Sequence, residues 1–553
     1  MRRLLPLLLL TACGAPAWKQ TPHDVRFQRT PPPTPHAAPK PNEPSDSWYA
    51  IEQTTARPIA TALNPGHYID LLRGGPPPLD VNAFGEVVDS VWFENRLGRR
   101  ALTVEEIRRG PNEHDGPDER RLEVLGGKIE GATPGLVLRD ARGDRYVAKF
   151  DPPAYPGLAS GAEIIATKIL WAAGYHVPEN YVGTLDMGAL ELKDDATTGG
   201  HYGERIPLDR ERLDDLLAHV NPFPDGTVRT LYSRFLPGRL IGPFHYRGQR
   251  PDDPNDVIPH ERRRSLRGLG LFSAWLNNVD ARASNTLDVF IPGADGRGYV
   301  KHYQIDFGDA LGSAGLGPKY LGEGYEGVLD WPKVLRSLTA FGVWYRPWLG
   351  LRRSPYRAVG VFEADVFTPD AWRSKLPNPA FDEATWLDRY WAASIIARFT
   401  PSHLAAIVEE AGYIEPGASA WILRVLQERQ FKILEWVFAR VLPLDDVRVN
   451  GATLSLTDLE RTCGLLTNVP AAYTWSVRWD DQFAGEGNGP TPTADLAALI
   501  AQARATHGAA FDDDPFLTVT FARSEPAHGA TVDVHVRVVE GALLPVGLDR
   551  TVD

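Results

Sequence analysis

The sequence has little sulfur, since its 553 residues include two cysteines, Cys13 and Cys463, and two methionines. Two cysteines form one disulfide at most, so the chain is not a disulfide-stabilised scaffold. The HExxH pattern of zinc hydrolases is missing from the sequence, with no comparable histidine cluster. The GxSxG pattern of serine hydrolases is missing as well. These absences argue against both hydrolase classes.

The sequence also has fewer positively charged than negatively charged residues. The 59 lysines and arginines are outnumbered by 71 aspartates and glutamates, which gives a net charge of −12. Binding to phosphate backbones needs a basic surface, so we expect no nucleic-acid partner. A hydrophobic content of 43% and a charged content of 24% are ordinary for a globular protein. The length predicts about two to four domains.

The N-terminus contains an apolar run, Leu4 to Leu10, preceded by two arginines. The run is too short to span a bilayer, which favours a signal peptide over residues 1–12. Leu-Thr-Ala-Cys then resembles a bacterial lipobox. The resemblance implies acylation of Cys13, with palmitate as one of the chains, and anchoring to a lipid bilayer. The alternative is a chance cysteine within a signal peptide.

The residue after Cys13 is Gly14, and no aspartate follows that would indicate retention in the inner membrane. By resemblance this favours the outer membrane of a Gram-negative cell, facing the periplasm or the surface. A lipidated Cys13 cannot pair with Cys463, so we expect no intrachain disulfide. Cys463 lies in the helical-looking stretch LTDLERTCGLL and is expected to be a small buried residue.

The composition changes along the chain and predicts several segments. Residues 13–47 are rich in proline with little apolar content, as expected of an extended tether. An N-terminal extension follows over residues 48–121. A β-rich region over residues 122–254, with a hinge, precedes a helical region over residues 255–446. A small β-rich domain over residues 447–553 ends the chain, and we find no long-period repeat.

Local patterns predict the elements within these segments. A helix at LTVEEIRRG has the capping-box signature of Thr103 and Glu106. GLVLRD and RYVAKFD predict a hairpin, and the apolar spacing after Ser160 predicts a helix capped by that serine. Long helices are predicted around RRRSLRGLGLFSAWL, ATWLDRYWAASIIARF and ASAWILRVLQERQFKILEWVF. Strands and one helix are predicted near the C-terminus at AAYTWSVRW, PFLTVTFARS, TVDVHVRVV and ADLAALIAQARA.

Lys149 lies on a predicted strand, directly after a hairpin, within Val-Ala-Lys. Glu163 lies near the start of the helix that follows. A lysine braced by a carboxylate is one part that phosphoryl transfer from a nucleotide requires, because it holds phosphate oxygens. Taken singly, Lys149 is more simply a surface strand lysine, and Glu163 an acid at the positive end of its own helix.

Asp280 follows a predicted helix in WLNNVDARASN, and Asn285 comes next in the same loop. Two strands joined by PGADGRG then lead to Asp306, the first residue of Asp-Phe-Gly. A hairpin between Asn285 and Asp306 brings the two side chains together, and oxygen ligands of this kind suit Mg²⁺. Asp280 is then placed to act as a base. The simpler alternative is two polar residues that end a helix and a strand.

These residues resemble the protein-kinase-like superfamily, in particular its HipA-type and phosphatidylinositol 3/4-kinase-like branches, over roughly residues 122–440. The resemblance implies an α+β fold with two lobes, a β-rich N-lobe and a helical C-lobe, flanked here by the N-terminal extension and the C-terminal β-rich domain. It implies Mg²⁺ and ATP as cofactors. Asp280, Lys149 and Glu163 would be the catalytic residues, with Asn285 and Asp306 as the metal ligands.

The resemblance also implies residues that contact the nucleotide. These are Lys149, the loop glycines Gly131 and Gly135, the hinge residues Ser233 and Phe235, and Arg282. A plain salt bridge is the alternative for Arg282. The sequence departs from the family in lacking GxGxxG in the loop before Lys149 and Ala-Pro-Glu after Gly308. The resemblance therefore does not predict the acceptor of the phosphoryl group.

Three functions remain open from the sequence. The first is an envelope lipoprotein that transfers the γ-phosphoryl group of ATP to a hydroxyl on a protein, lipid or glycan acceptor. The second is a pseudokinase-like binding or assembly lipoprotein, which the scarcity of ATP outside the cytoplasm favours. Another group transfer on the same fold, such as nucleotidylation, is a third alternative.

Overall fold

The computed structural model describes residues 26–27, 29–42, 46–72, 74–128, 135–199, 205–218, 220, 222–328, 331–339, 346–351, 353–480 and 482–553. The predicted signal peptide, Cys13 and Gly131 lie outside the described residues. Within those ranges, every helix is too short or too polar to cross a bilayer.

Fifteen α-helices occur within the described residues. They are α1 (Asp46–Ile51), α2 (Arg57–Ala62), α3 (Pro65–Leu72), α4 (Val104–Arg109), α5 (Leu158–Ala173), α6 (Arg210–Leu217), α7 (Arg264–Leu276), α8 (Trp331–Thr339), α9 (Pro379–Asp382), α10 (Trp386–Ile396), α11 (Pro401–Glu410), α12 (Ala418–Phe438), α13 (Leu459–Thr462), α14 (Ala497–His507) and α15 (Ala509–Asp513).

The strands of the described chain form four sheets. They are β1 (Leu122–Gly127), β2 (Gly135–Asp140), β3 (Arg145–Phe150), β4 (Asn180–Asp186), β5 (Leu190–Gly199), β6 (Arg205–Pro207), β7 (Thr227–Arg234), β8 (Arg239–Leu240), β9 (Thr286–Pro292), β10 (Gly298–Gln304), β11 (Leu444–Asn450), β12 (Thr453–Asp458), β13 (Ala472–Trp479), β14 (Gln482–Gly489), β15 (Thr493–Asp495), β16 (Phe516–Glu525), β17 (Val532–Val539) and β18 (Ala542–Arg550).

The largest sheet is mixed and has the order β4-β7-β3-β2-β1-β5-β6. Its pairs are antiparallel except for β1 and β5, which run parallel. The predicted hairpin of β2 and β3 is confirmed, and its register places Lys149 opposite Gly135 on one side and Leu231 on the other. The mixed α and β class is therefore confirmed, while the division into two lobes with added domains stays a prediction.

Helix α5 begins before Ser160, so the prediction that Ser160 caps it is wrong. The side chain of Asp151 accepts hydrogen bonds from the main-chain N–H groups of Gly157, Ala159 and Ser160, at 2.8 to 2.9 Å. A carboxylate from the preceding loop thus satisfies the first turn, where unpaired N–H groups need an acceptor. Gly174 ends the helix, as expected.

A second sheet has the order β10-β9-β8, and its β9–β10 hairpin confirms the expected one. The ladder runs without a bulge from Gly298 opposite Pro292 to Gln304 opposite Thr286. Buried polar contacts of Asp288 stabilise the hairpin. Asp288 lies 2.6 Å from Nδ1 of His302 and 3.1 Å from the guanidinium of Arg250.

The predicted tether is wrong for residues 29–42, because this stretch packs on the body. His36 exchanges main-chain hydrogen bonds with Gly298, and the N–H of Asn42 donates to the carbonyl of Ile241. Proline lacks an N–H donor, but the residues between the prolines supply donors that pair with the second sheet. The N-terminal segment therefore braces both edges of the β8–β10 sheet.

The predicted helices α7, α10 and α12 form at the expected places and pack into the largest apolar cluster of the described chain. Helix α7 leads directly to the loop that carries Asp280. Two arginines of α7, Arg264 and Arg267, are buried against Asp388 of α10 at 2.9 and 3.1 Å. This buried triad locks the orientation of α7 against α10.

The C-terminal residues confirm the expected strands and helix. The sheet β14-β13-β16-β17-β18 is antiparallel, and α14 forms over Ala497–His507. Strand β14 was missed, since its glycine-rich sequence QFAGEGNG disfavours a strand. Cys463 is half-buried at the end of α13, and burial raises the pKa of its thiol to about 11.

Replacing Asp388 with alanine tests the triad. The change leaves Arg264 and Arg267 without their shared buried carboxylate, so we expect the free energy of unfolding to fall by about 3–5 kcal/mol. Urea unfolding followed by tryptophan fluorescence measures the change. The exposed helix pair of Glu428 with Arg424 is the control, and Glu428→Ala should lower stability by at most about 0.5 kcal/mol. Equal effects of both variants would contradict the account.

Candidate active site

A cavity of 490 Å³ separates the seven-stranded sheet from the β9–β10 hairpin and the loop after α7. We call it the central cavity. Every predicted site residue within the described ranges lines it except Gly135. Those residues are Lys149, Glu163, Ser233, Phe235, Asp280, Arg282, Asn285 and Asp306. Residues from widely separated parts of the chain therefore meet where the sequence analysis expected them to.

Strand β3 holds Lys149 between two carboxylates. Its ammonium lies 2.8 Å from Oδ1 of Asp306 and 3.5 Å from Oε2 of Glu163. Burial on its own lowers the pKa of Lys149, but the two carboxylates outweigh burial and hold that pKa above its ordinary value. Lys149 is thus a fixed positive charge at the floor of the central cavity.

Glu163 is buried in the first turns of α5, with 1% of its surface exposed. Its second oxygen, Oε1, accepts a hydrogen bond from the side-chain amide of Asn180 at 3.4 Å. The same amide donates to the hydroxyl of Thr167 at 2.8 Å. Burial raises the pKa of Glu163, while Lys149 opposes that rise. The brace between Lys149 and Glu163 is the arrangement that the sequence predicted.

Asp306 follows β10 and adopts a left-handed backbone, with φ of 58°. This conformation is uncommon for a residue other than glycine and marks a local constraint. The positive charge of Lys149 lowers the pKa of Asp306 to about 2. Its side chain is still 41% exposed. Asp306 is therefore an ionised carboxylate that faces the central cavity.

Asp280 and Asn285 are joined within one loop. The amide nitrogen of Asn285 donates to the carbonyl of Asp280 at 2.7 Å and to its Oδ2 at 3.0 Å. The guanidinium of Arg282 lies 3.1 Å from Oδ1 of the same carboxylate. Arg282 therefore makes the salt bridge that was its alternative role, while it also lines the cavity.

The residues present fit a magnesium ion. The carbonyl of Asn285 accepts from the N–H of Ile305 at 3.1 Å, which places Asn285 beside Asp306. Because the amide nitrogen of Asn285 binds Asp280, its side-chain oxygen is the atom left for a cation. One carboxylate and one amide oxygen, completed by phosphate oxygens and water, are a donor set that Mg²⁺ accepts.

Gly135 lies beside Lys149 but does not line the cavity. A Cβ on this residue would lie 2.7 Å from the carbonyl of Ala148, so close approach of β2 and β3 requires glycine here. The packing of these two strands therefore explains why glycine occupies position 135. Its role in nucleotide binding stays a prediction, as does that of Gly131.

The expected hinge needs a correction. The main-chain N–H of Phe235 donates to the carbonyl of Arg145 at 2.9 Å, so it is not the donor that would pair with adenine. Ser233 lies inside β7, between β3 and β4, where the ladders use its backbone. Leu236, one residue further along, also lines the cavity. Nucleotide binding by Ser233 and Phe235 stays a prediction, with the N–H of Phe235 already paired and therefore not the donor.

Four charged residues that line the cavity were not among the predicted site residues: Lys128, Arg234, Asp309 and Lys375. Lys128 follows the glycine pair that ends β1, and its charge helps to lower the pKa of Asp306. Burial raises the pKa of Asp309 to about 6. Lys128 and Asp309 adjoin predicted motifs and could have been found. Lys375 belongs to no motif.

No family model matches this chain, and no curated protein matches it. Two solved structures of the Golgi casein kinase are similar to it, one of them with Mn and ADP bound. They are 10% and 9% identical to it, with TM-scores of 0.29 and 0.26. The alignments cover 73% and 60% of this chain, and 94% and 72% of those chains.

A double-mutant cycle of Lys149→Met and Asp306→Asn tests the ion pair. We expect a coupling of about 1 kcal/mol at neutral pH, because Asp306 is partly exposed and water screens the pair. The pKa of Asp306 falls from 3.8 to about 2 on folding, so the coupling is present above 3.8 and is lost as the pH falls towards 2.

Thermal unfolding of the four variants between about pH 7 and pH 3 measures this coupling, which should fall to about half near pH 3. The cycle cancels the separate effect of each change on Glu163. A coupling near zero at neutral pH, or one that does not change with pH, would show that the two side chains are not paired in solution.

Proposed function

We propose that this protein is an ATP-dependent phosphotransferase that uses Mg²⁺ and transfers the γ-phosphoryl group to a hydroxyl acceptor. The observation that carries the proposal is the position of Lys149. Its ammonium bridges Glu163 and Asp306 in a cavity that also contains the Asp280–Asn285 pair. Phosphoryl transfer needs these groups on opposing walls of one cavity.

Each residue has a role that follows from its contacts. Lys149, held in place by Glu163, binds phosphate oxygens of the nucleotide. Asn285 and Asp306 present the oxygen atoms that would hold Mg²⁺, which when bound would neutralise charge on the phosphates. Asp280 orients the acceptor hydroxyl and takes its proton as the oxygen–phosphorus bond forms. Arg282 keeps the carboxylate of Asp280 in position.

A binding module without transfer is the second candidate. The observation that favours it is the carboxylate of Asp280, because one oxygen accepts from Asn285 and the other lies beside Arg282. A base needs one of these oxygens to face the acceptor. Binding of the metal and nucleotide must therefore rearrange these contacts for transfer to occur.

Attachment to a membrane is also part of the proposal. It is supported by the sequence pattern around Cys13, with the periplasm or cell surface as the site of action and a protein, lipid or glycan as the acceptor. Incorporation of labelled palmitate into the full-length chain in a Gram-negative host tests it. We expect label in the wild-type chain and none in Cys13→Ser. Equal labelling of both chains would contradict lipidation at Cys13.

Nucleotide binding is tested with a chain that begins at Arg26, so that the N-terminal segment that packs on the body is retained. Millimolar Mg²⁺-ATP should raise the melting temperature of the wild type by several degrees, since a ligand that binds the folded state stabilises it. Asp306→Ala should lose that increase. Asp512→Ala, which removes an exposed carboxylate of the C-terminal region, is the matched control and should keep it.

Catalysis is tested with the conservative variant Asp280→Asn. It should bind Mg²⁺-ATP as the wild type does but lose transfer of label from γ-labelled ATP to the chain itself. An equally slow background in wild type and variant, with binding intact, would favour the binding module. No thermal response of the wild type to millimolar nucleotide would exclude the phosphotransferase.

A further inference from the structure

The loop that carries Asp280 is held by a distant part of the chain, residues 372–378, which we call the 372–378 segment. Three hydrogen bonds join the segment to the loop. They run from the indole N–H of Trp372 to Oδ1 of Asn277 (3.2 Å), from the main-chain N–H of Lys375 to the carbonyl of Val279 (2.8 Å), and from the side-chain amide of Asn378 to the carbonyl of Ala281 (3.0 Å).

The segment is itself fixed at both ends. Trp372 and Asn378 are buried, with 8% and 1% of their surfaces exposed. The side-chain oxygen of Asn378 accepts from the N–H groups that start α9, so this residue both caps a helix and holds the loop. Lys375 lies between these two anchors. Its backbone position is therefore set relative to Asp280.

The side chain of Lys375 is exposed and lines the central cavity together with Asp280 and Asp309. Its positive charge lowers the pKa of Asp309, although burial raises that pKa more. Lys375 thus lies on the same wall as the proposed base, because its main chain is bonded to the loop that carries Asp280.

Neighbouring cations are already committed to partners. Lys149 is paired with Asp306 and Glu163, and Arg282 with Asp280. The ammonium of Lys319 donates to main-chain carbonyls of the loop and of Asp309. The ammonium of Lys375, by contrast, has no hydrogen bond or ion pair with any residue in the described ranges. Its donors are available to a ligand in the cavity.

We propose that Lys375 binds the γ-phosphoryl group of the nucleotide as a catalytic residue, supplied from outside the loop that carries Asp280. The inference rests on the proposed phosphotransferase function. In the transfer, the bond between the γ-phosphorus and its bridging oxygen breaks and the acceptor oxygen bonds to that phosphorus. The acceptor proton passes to Asp280, and ADP leaves. The ammonium of Lys375 stabilises the negative charge on the oxygens of the phosphoryl group while that group is transferred.

The test compares ATP with ADP in the presence of Mg²⁺, using Lys375→Met in the full-length chain. The α- and β-phosphates are held by Lys149, so the variant should keep the thermal stabilisation by ADP. It should lose the additional stabilisation that ATP gives the wild type. Transfer from γ-labelled ATP should slow by about 100-fold, as when one donor to a developing charge is removed.

Two further variants separate a direct role from a structural one. Lys375→Arg keeps the charge and should restore part of the rate and of the difference between ATP and ADP. Arg373→Met removes a neighbouring exposed cation of the same segment that does not line the central cavity, and it should behave as the wild type. Because the side chain of Lys375 is exposed, the melting temperatures of Lys375→Met and Lys375→Arg without nucleotide should match that of the wild type.

The outcomes distinguish this inference from the proposed function. If the wild type responds to Mg²⁺-ATP and Lys375→Met keeps both the ATP–ADP difference and the transfer rate, the role of Lys375 is wrong and the phosphotransferase remains. If the wild type shows no response to Mg²⁺-ATP, or if Asp306→Ala responds as the wild type does, the proposed function fails and Lys375 loses its role with it.

Discussion

The central cavity depends on the ion pair between Lys149 and Asp306, at 2.8 Å. Lys149 belongs to the middle of the seven-stranded sheet, and Asp306 follows the hairpin of a different sheet. The pair is therefore a direct contact between the two walls of the cavity. Glu163 supports the pair from α5. Because Glu163 is buried, removal of the Lys149 ammonium would leave a buried carboxylate unpaired and would destabilise the folded state.

The other parts of the fold set the position of the second wall. Helix α7 is fixed by the Asp388 triad and leads into the loop of Asp280. The N-terminal stretch over residues 29–42 braces the sheet that carries the β9–β10 hairpin, and the 372–378 segment holds the loop from outside. These supports have few local features in common. Each brings a distant part of the chain to residues that carry charge.

Much of the site could be predicted from sequence because its residues lie at the ends of regular elements. A strand, a helix and a hairpin with strong local patterns define where Lys149, Glu163, Asn285 and Asp306 lie. Once the hairpin is recognised, the meeting of Asn285 with Asp306 follows from its geometry. The register of β9 and β10 confirms this step.

The other features could not be predicted because they depend on tertiary contacts that leave no pattern in the local sequence. Asp151 replaces Ser160 as the helix cap because a preceding loop brings a carboxylate to the first turn. Phe235 is excluded as an adenine donor because the β-rich region already uses its N–H. Lys375 reaches the cavity through hydrogen bonds to a loop far away in sequence. The proline-rich composition likewise predicted an extended tether, but the main chain of residues 29–42 forms hydrogen bonds with the β8–β10 sheet.

The central claim is that the cavity between Lys149 and the Asp280 loop binds a metal-bound nucleotide. A crystal structure with Mg²⁺ and a non-hydrolysable ATP analogue tests it most directly. We expect the metal at about 2.1 Å from oxygens of Asp306 and Asn285, with phosphate oxygens in contact with Lys149. Nucleotide bound elsewhere, or an ordered central cavity that stays free of nucleotide at saturating concentration, would contradict the claim.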